Sequence, residues 1–141
     1  MDATPHLVMG AALTMRVRKP LLAVGIGMLS HVVLDMIPHY HLAWIMGARG
    51  FALVDLALGI CLTLVVVALA PVPWGSLMGA FGGALPALER VIAGQRYDFL
   101  ERPPFGLPHL EAEPPWGVAT EIAATVTALA LAVRQRKYRR T

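Results

Sequence analysis

Two side chains able to bind a metal ion or move a proton lie inside one apolar segment. His31 and Asp35 are four residues apart within residues 21–37, whose other side chains are apolar except for Ser30. This spacing places both side chains on one face of a helix. Ionisable groups inside apolar helices are costly and usually functional. We therefore interpret the pair as part of a site, the alternative being a polar pair that only satisfies itself.

The first apolar segment is expected to bring a second histidine to the same depth. Thr4 and Pro5 are typical of a helix start, with threonine as the N-cap and proline in the first turn, which also contains His6. The basic turn at residues 16–20 lies midway between His6 and His31. In an antiparallel hairpin the two imidazoles therefore lie at one level.

Small residues predict close contacts between these helices. Gly10 and Gly27 are also equally far from the turn, so we expect a Gly–Gly contact beneath the histidine layer. A later segment, residues 74–93, is rich in glycine and carries Glu89 near its end. Close packing of that segment on the hairpin would bring Glu89 towards the same layer.

Two imidazoles and two carboxylates at one level are a candidate divalent-metal site. The predicted ligands are His6, His31, Asp35 and Glu89. Neutral imidazole and carboxylate suit zinc, and manganese or iron are the alternatives. A catalytic metal lowers the pKa of its bound water to about 7. Asp35 or Glu89 is the predicted general base, with His39 as a further catalytic candidate beside them.

The other polar residues have simpler explanations. Asp55 and Glu121 lie near the starts of apolar segments, where capping or snorkelling accounts for them. His109 follows a proline-rich stretch, which either folds as a lid over the site or only connects two helices. The single cysteine, Cys61, excludes an internal disulfide and a CxxC metal site.

The composition indicates a membrane protein. The chain has 141 residues, of which 57% are hydrophobic and 15% charged, and its mean hydropathy is +0.62. Soluble domains carry about a quarter charged residues, and disordered chains are poor in apolar residues. We predict an all-α fold, an integral membrane bundle of four to five transmembrane helices that starts with a tight hairpin. The helices of this single domain, 1–141, are predicted at about 4–18, 21–37, 51–70, 74–93 and 116–133.

The basic residues predict the orientation. Eight of the twelve Lys and Arg residues lie in two short segments, 16–19 and 134–140, and the positive-inside rule places both in the cytoplasm. The loops 38–50 and 94–115 then lie outside, and the basic tail 134–141 lies inside. All nine acidic residues and all five histidines fall on the outer side. The expected partner is the lipid bilayer, and no nucleic acid is expected.

Three segments resemble the motifs of one protein family. Residues 4–11 are similar to its T-x-H-x-x-x-G signature, and residues 30–39 to its S-H-x-x-L-D-x-x-P-H segment. Residues 83–89 are similar to its glycine-leucine-proline segment, which ends in an acid. The family is that of small bacterial membrane-bound metal-dependent hydrolases, described as LexA-binding and inner-membrane-associated. The resemblance covers about the first 95 residues.

The resemblance implies a multi-pass protein of the bacterial inner membrane with a metal-centred hydrolase site. The residues that match the motifs are His6, His31, Asp35 and Glu89, with His39 beside them. Two departures are visible. Ala87 stands where the family has aspartate, and the downstream histidine-rich segment is reduced to His109.

The expected function is metal-dependent hydrolysis of an ester or phosphoester at the outer face of the membrane. The location of the site suggests a lipid-like substrate. The alternative is a non-catalytic scaffold, or an ion- or proton-conducting protein, that uses the same polar residues, and an oligomer is compatible with both. Metal ligands must converge on one point at about 2–2.5 Å, whereas a relay extends along a path.

Overall fold

The computed structural model describes residues 2–40, 49–93, 106 and 110–137, with side chains except at 49–52, 89–93 and 137. Within these residues the protein consists of helices, with no strand beyond one isolated bridge. The helices are α1 (Ala3–Leu13), α2 (Pro20–Asp35), α3 (Arg49–Leu69), α4 (Pro73–Ala93) and α5 (Trp116–Lys137). The predicted all-α fold is confirmed.

Two helix ends differ from the prediction. Helix α1 ends at Leu13 rather than near residue 18, and Thr14 is its C-cap. The Thr14 hydroxyl donates to the carbonyls of Gly10 and Ala11 at 2.7 and 3.3 Å. Helix α5 continues to Lys137, so the predicted basic tail begins as helix. Helix α2 ends at Asp35, shortly before Pro38, since the residue before a proline disfavours helical backbone.

Helix α1 lies in the centre and contacts each of the other four helices. Its residues from Thr4 to Val8 are buried, as are Gly10, Ala11 and Ala12. Because other helices surround α1, its side chains are apolar on every side and it has no polar face. The short helix therefore forms the axis around which the other four pack.

Glycines allow α4 to pack into the groove of the α1–α2 hairpin. A Cβ atom at Gly10 or at Gly27 would collide with the same atom, the carbonyl oxygen of Gly79. Conversely, a Cβ atom at Gly79 would collide with the Gly10 carbonyl and the Thr14 hydroxyl. The expected contact between Gly10 and Gly27 is therefore mediated by a third helix. Small side chains permit this approach of backbones.

Helix α5 is the one helix in the described part of the chain that is long and apolar enough to cross a membrane. Its candidate span, Trp116–Arg136, has a mean hydropathy of 1.6. Only 22% of its most apolar window is buried within the protein. A core helix of a soluble protein would be mostly covered, so this helix leaves an apolar face without a protein partner.

Candidate metal site

His6, His31 and Asp35 converge between α1 and α2. Nε2 of His6 lies 3.2 Å from Oδ1 of Asp35, and Nε2 of His31 lies 3.0 Å from Oδ2. The two histidines are each 1% exposed, and Asp35 is 3% exposed. The equal depth of the histidines and the four-residue spacing of His31 and Asp35 thus bring these three residues together, as the sequence predicted.

The backbone of α4 determines which nitrogen of His31 carries its proton. Nδ1 of His31 lies 2.8 Å from the carbonyl oxygen of Gly83, which can only accept, so Nδ1 is the donor. Pro86 cannot donate to the carbonyl of Gly82, so regular helical bonding is interrupted in this turn of α4. The ring of His31 therefore presents Nε2 to Asp35. Histidine ligands of metals are commonly oriented by such a bond from the opposite nitrogen.

The imidazole of His6 stacks on that of His31. The ring centroids are 3.9 Å apart and the planes are inclined by 24°. Neither nitrogen of His6 has a hydrogen-bond partner among the described residues, although Oδ1 of Asp35 lies 3.2 Å from Nε2. A buried polar atom without a partner is costly. A cation bound by Nε2 would satisfy His6.

His39 lies beside the site, although it is not part of α2. Its Nε2 is 3.8 Å from Oδ1 of Asp35, and its Nδ1 lies 2.7 Å from the carbonyl of Ile37, so Nδ1 is the donor here too. The side chain is fully buried. Like His31, His39 thus presents Nε2 to Asp35.

The segment after residue 109 holds His39 in place through the backbone. His39 N–H donates to the carbonyl of Leu110 at 3.2 Å, and Ala112 N–H donates to the carbonyl of His39 at 2.7 Å. Leu110 N–H donates to the carbonyl of Asp35 at 3.0 Å. The end of the predicted outer loop 94–115 therefore packs on this end of the bundle.

These side chains have the donor set of a divalent-metal site. The ligand atoms of His6, His31 and Asp35 all lie within 4.8 Å of one another. Ligands bound to one zinc ion at about 2 Å lie roughly 3–4 Å apart, so the arrangement is close to a coordination sphere. The three ligand atoms therefore lie close enough together to share one ion.

Two predicted site residues lie outside the described part of the protein. Glu89 belongs to α4, but its side chain is not described, and neither is His109. Their roles stay predictions.

Asp55 and Glu121 contact the start of α1, the same end that carries His6. Oδ2 of Asp55 accepts from the N–H groups of Ala3 and Thr4 at 2.7 and 3.3 Å, and the Thr4 hydroxyl donates to the Asp55 carbonyl at 2.8 Å. Oε1 of Glu121 accepts from the N–H of Asp2 at 3.3 Å. The expectation of capping is confirmed for Asp55. The helix that it caps is α1, whereas Asp55 itself belongs to α3. Its carboxylate complements the first-turn amides two residues before His6.

Sequence reasoning missed the parts of the site that are backbone. The Gly83 carbonyl orients His31, and the Leu110 and Ala112 amide groups fix His39. Pro86 inside an apolar helix was the available signal for Gly83, since a proline interrupts regular bonding in the turn before it. The pairing with residues 110–112 is long-range and had no local signal.

Comparison with protein-family models, with curated proteins and with solved structures gives no match for this chain.

Proposed function

We propose that this protein is a membrane-embedded metal-dependent hydrolase of the LexA-binding, inner-membrane-associated family. The observation that carries the proposal is the buried group of His6, His31 and Asp35, whose ligand atoms lie within 4.8 Å of one another. His31 and His39 donate from Nδ1 to backbone carbonyls and turn Nε2 to the carboxylate, and His6 has no hydrogen-bond partner among the described residues. A buried imidazole without a partner, next to a carboxylate and a second imidazole, favours a cation bound among them.

A metal ion suits this position better than a proton relay. His6, His31 and Asp35 would hold the ion, with His39 or Glu89 completing the set. Zinc is the preferred ion, because imidazole nitrogen and carboxylate oxygen are its common ligands, and manganese or iron accept the same set. The convergence of the three described ligands on one point supports a metal site over a relay.

The outer surface of the bundle supports insertion in a bilayer. Large apolar side chains project from α2, α3 and α5 into the surroundings, whereas histidine and aspartate are buried inside. The most exposed of them are Leu21 at 87%, Trp116 at 77%, Leu53 at 66% and Leu29 and Val54 at 64%. Apolar surface of this extent is stable against lipid tails and not against water. We propose that α2 to α5 cross the membrane, that the short α1 lies among them, and that the C-terminus is cytoplasmic.

The proposed reaction is hydrolysis of an ester or phosphoester at the outer face of the inner membrane. When bound, a divalent metal supplies an activated water and stabilises negative charge on the substrate. His39 directs Nε2 towards Asp35, and as a neutral imidazole with its proton on Nδ1 it is suited to accept a proton from the attacking water. Glu89 is the second candidate for this role. A lipid-like substrate follows from the proposed membrane location.

The metal content of the purified protein tests the proposal. The wild-type protein, extracted in neutral detergent without chelators, is expected to contain about one zinc, manganese or iron ion per chain by mass spectrometry of the elements. His31→Ala and His6→Ala are expected to lose it. The matched control is Thr120→Val, which removes a hydroxyl bonded to the Pro38 carbonyl near the site but no ligand, and should retain the ion.

Equal metal content in the wild type and in both histidine variants would refute the site. Metal retention with no release of alcohol or phosphate from ester and phosphoester substrates would leave a structural metal and refute the hydrolase.

A further inference from the structure

The end of the bundle remote from the candidate metal site carries exposed arginine residues from two segments of the chain. Nη2 of Arg16, in the α1–α2 connection, donates to the carbonyl of Gln135 at 2.7 Å, and Nε2 of Gln135 donates to the carbonyl of Ala12 at 3.0 Å. Arg134 and Arg136 flank Gln135 and are exposed. We call Arg16, Arg134 and Arg136 the arginine surface.

No acidic side chain in the described part of the chain neutralises this surface. Asp2, Asp55 and Glu121 lie together at the start of α1, and Asp35 lies in the metal site. Glu111 follows Leu110, which is bonded to Asp35, and Glu113 lies at the opposite end of α5, where its carbonyl accepts from Gly117 N–H. These exposed arginines therefore keep their positive charge available to an anion.

An apolar groove on α5 leads to the same surface. Val126, Leu129, Ala130 and Val133 line it, Arg134 stands at its end, and its volume is about 480 Å³. Their spacing of three and four residues places them on one helix face. From Val126 to Val133 the groove runs for roughly 10 Å at 1.5 Å per residue. An apolar groove with a cation at its mouth is complementary to an anionic amphiphile.

We propose that the arginine surface and this groove bind an anionic phospholipid. The phosphate would lie on the guanidinium groups, whose paired N–H donors match phosphate oxygens, and one acyl chain would follow the groove along α5. The inference rests on the proposed membrane insertion and not on the metal site. We prefer a phospholipid to free phosphate as the ligand, because free phosphate has no apolar part to occupy the groove.

The test compares lipid binding by full-length protein in neutral detergent. Phosphatidylglycerol and phosphatidylcholine are titrated separately, and bound lipid is counted by native mass spectrometry. We expect tighter binding of phosphatidylglycerol, weakened about fivefold in Arg134→Gln. Arg18→Gln, which removes an equal charge from an exposed residue of the same connection, should bind as the wild type does.

A second pair of variants tests the groove. Ala130→Trp fills it and should weaken phosphatidylglycerol binding, whereas Ala57→Trp adds the same bulk at an exposed position on α3, away from the groove, and should not. Equal losses in Arg134→Gln and Arg18→Gln would show attraction by net charge alone and overturn the proposal. So would normal binding by Ala130→Trp, or full competition by inorganic phosphate. Metal content measured on the same samples keeps a failure of the metal site separate from a failure of lipid binding.

Discussion

Two backbone carbonyls determine the chemistry of the histidines in the candidate site. The carbonyls of Gly83 and Ile37 accept from Nδ1 of His31 and His39, so each ring directs Nε2 towards Asp35. A carbonyl cannot donate, and therefore neither ring can reverse its tautomer without losing a bond. The two backbone bonds therefore orient both rings towards the same carboxylate.

Replacing Asp35 by asparagine is expected to weaken metal binding strongly. The variant keeps the size of the side chain and an acceptor oxygen but removes the negative charge that three imidazoles face. We expect a loss of affinity of at least about 100-fold, since changes to groups that only orient ligands cost about 10–100-fold. Competition with a chromogenic chelator measures it.

His39→Gln provides the comparison for this experiment. Its Nε2 lies at 3.8 Å from Oδ1, farther than the nitrogens of His6 and His31, so a smaller loss of about tenfold is expected. An effect of Asp35→Asn no larger than that of His39→Gln would contradict the assignment of Asp35 as a ligand.

The position of α1 depends on a cap supplied by another helix. Asp2 precedes α1 but makes no capping bond with its side chain, and Asp55 of α3 accepts from the Ala3 and Thr4 amides instead. Because His6 follows within the same turn, this cap connects the packing of α3 to the metal site.

Asp55→Ala is expected to destabilise the protein by about 1 kcal/mol, the usual cost of losing a helix N-cap. Thermal unfolding in detergent measures the change. Asp55→Asn retains an acceptor oxygen and should recover most of the stability. Equal losses in both variants would indicate that charge, rather than the capping bond, is what α1 requires.

The approach of α4 to the hairpin depends on glycine. A side chain at Gly79 would meet the Gly10 carbonyl and Thr14, whereas nothing lies within 4 Å of a Cβ atom at Gly25. The two positions thus separate a packing requirement from the general effect of glycine on a helix.

Gly79→Val should cost roughly 1–3 kcal/mol or more, because overpacking of a tight interface forces backbones apart. Gly25→Ala should be neutral or should stabilise by up to about 1 kcal/mol, the helix propensity gained. The free energies of unfolding in detergent provide the comparison. A tolerated Gly79→Val would show that α4 and the hairpin do not pack as closely as described.

The bundle exposes large apolar side chains on several helices. Its interior contains His6, His31, His39 and Asp35 beside an apolar core around α1. The helix ends differ as well, with carboxylates around the start of α1 and guanidinium groups at the end of α5. This separation of charge supports one orientation across a bilayer.

A reporter fused to the C-terminus tests that orientation in a bacterial host. A C-terminal green fluorescent protein should fluoresce, because it folds in the cytoplasm and does not fluoresce when it is exported in an unfolded state. A C-terminal alkaline phosphatase should be inactive, because that enzyme needs the oxidising periplasm. Replacement of the basic residues at 16, 18 and 19 by glutamine should lower the fraction of molecules with the C-terminus in the cytoplasm. Active phosphatase in the unaltered chain would reverse the assignment of sides.

Local patterns in the sequence predicted the helices and the common level of two site residues. Apolar runs predicted the helices, and the threonine–proline start and the central turn predicted that His6 and His31 lie at one level. These succeed because helical periodicity and hairpin geometry depend on spacing along the chain. The end of α1 at Leu13 was missed because the apolar pattern continues past it to Met15.

The contacts between distant segments were decided only by the tertiary structure. The Gly83 carbonyl that orients His31, the Asp55 cap on α1, and the pairing of His39 with residues 110–112 each join residues more than 50 positions apart. Almost every residue has the same backbone carbonyl and amide groups. The residue types in a sequence therefore do not indicate which backbone group will contact a given side chain. That depends on how the helices pack, which no local pattern encodes.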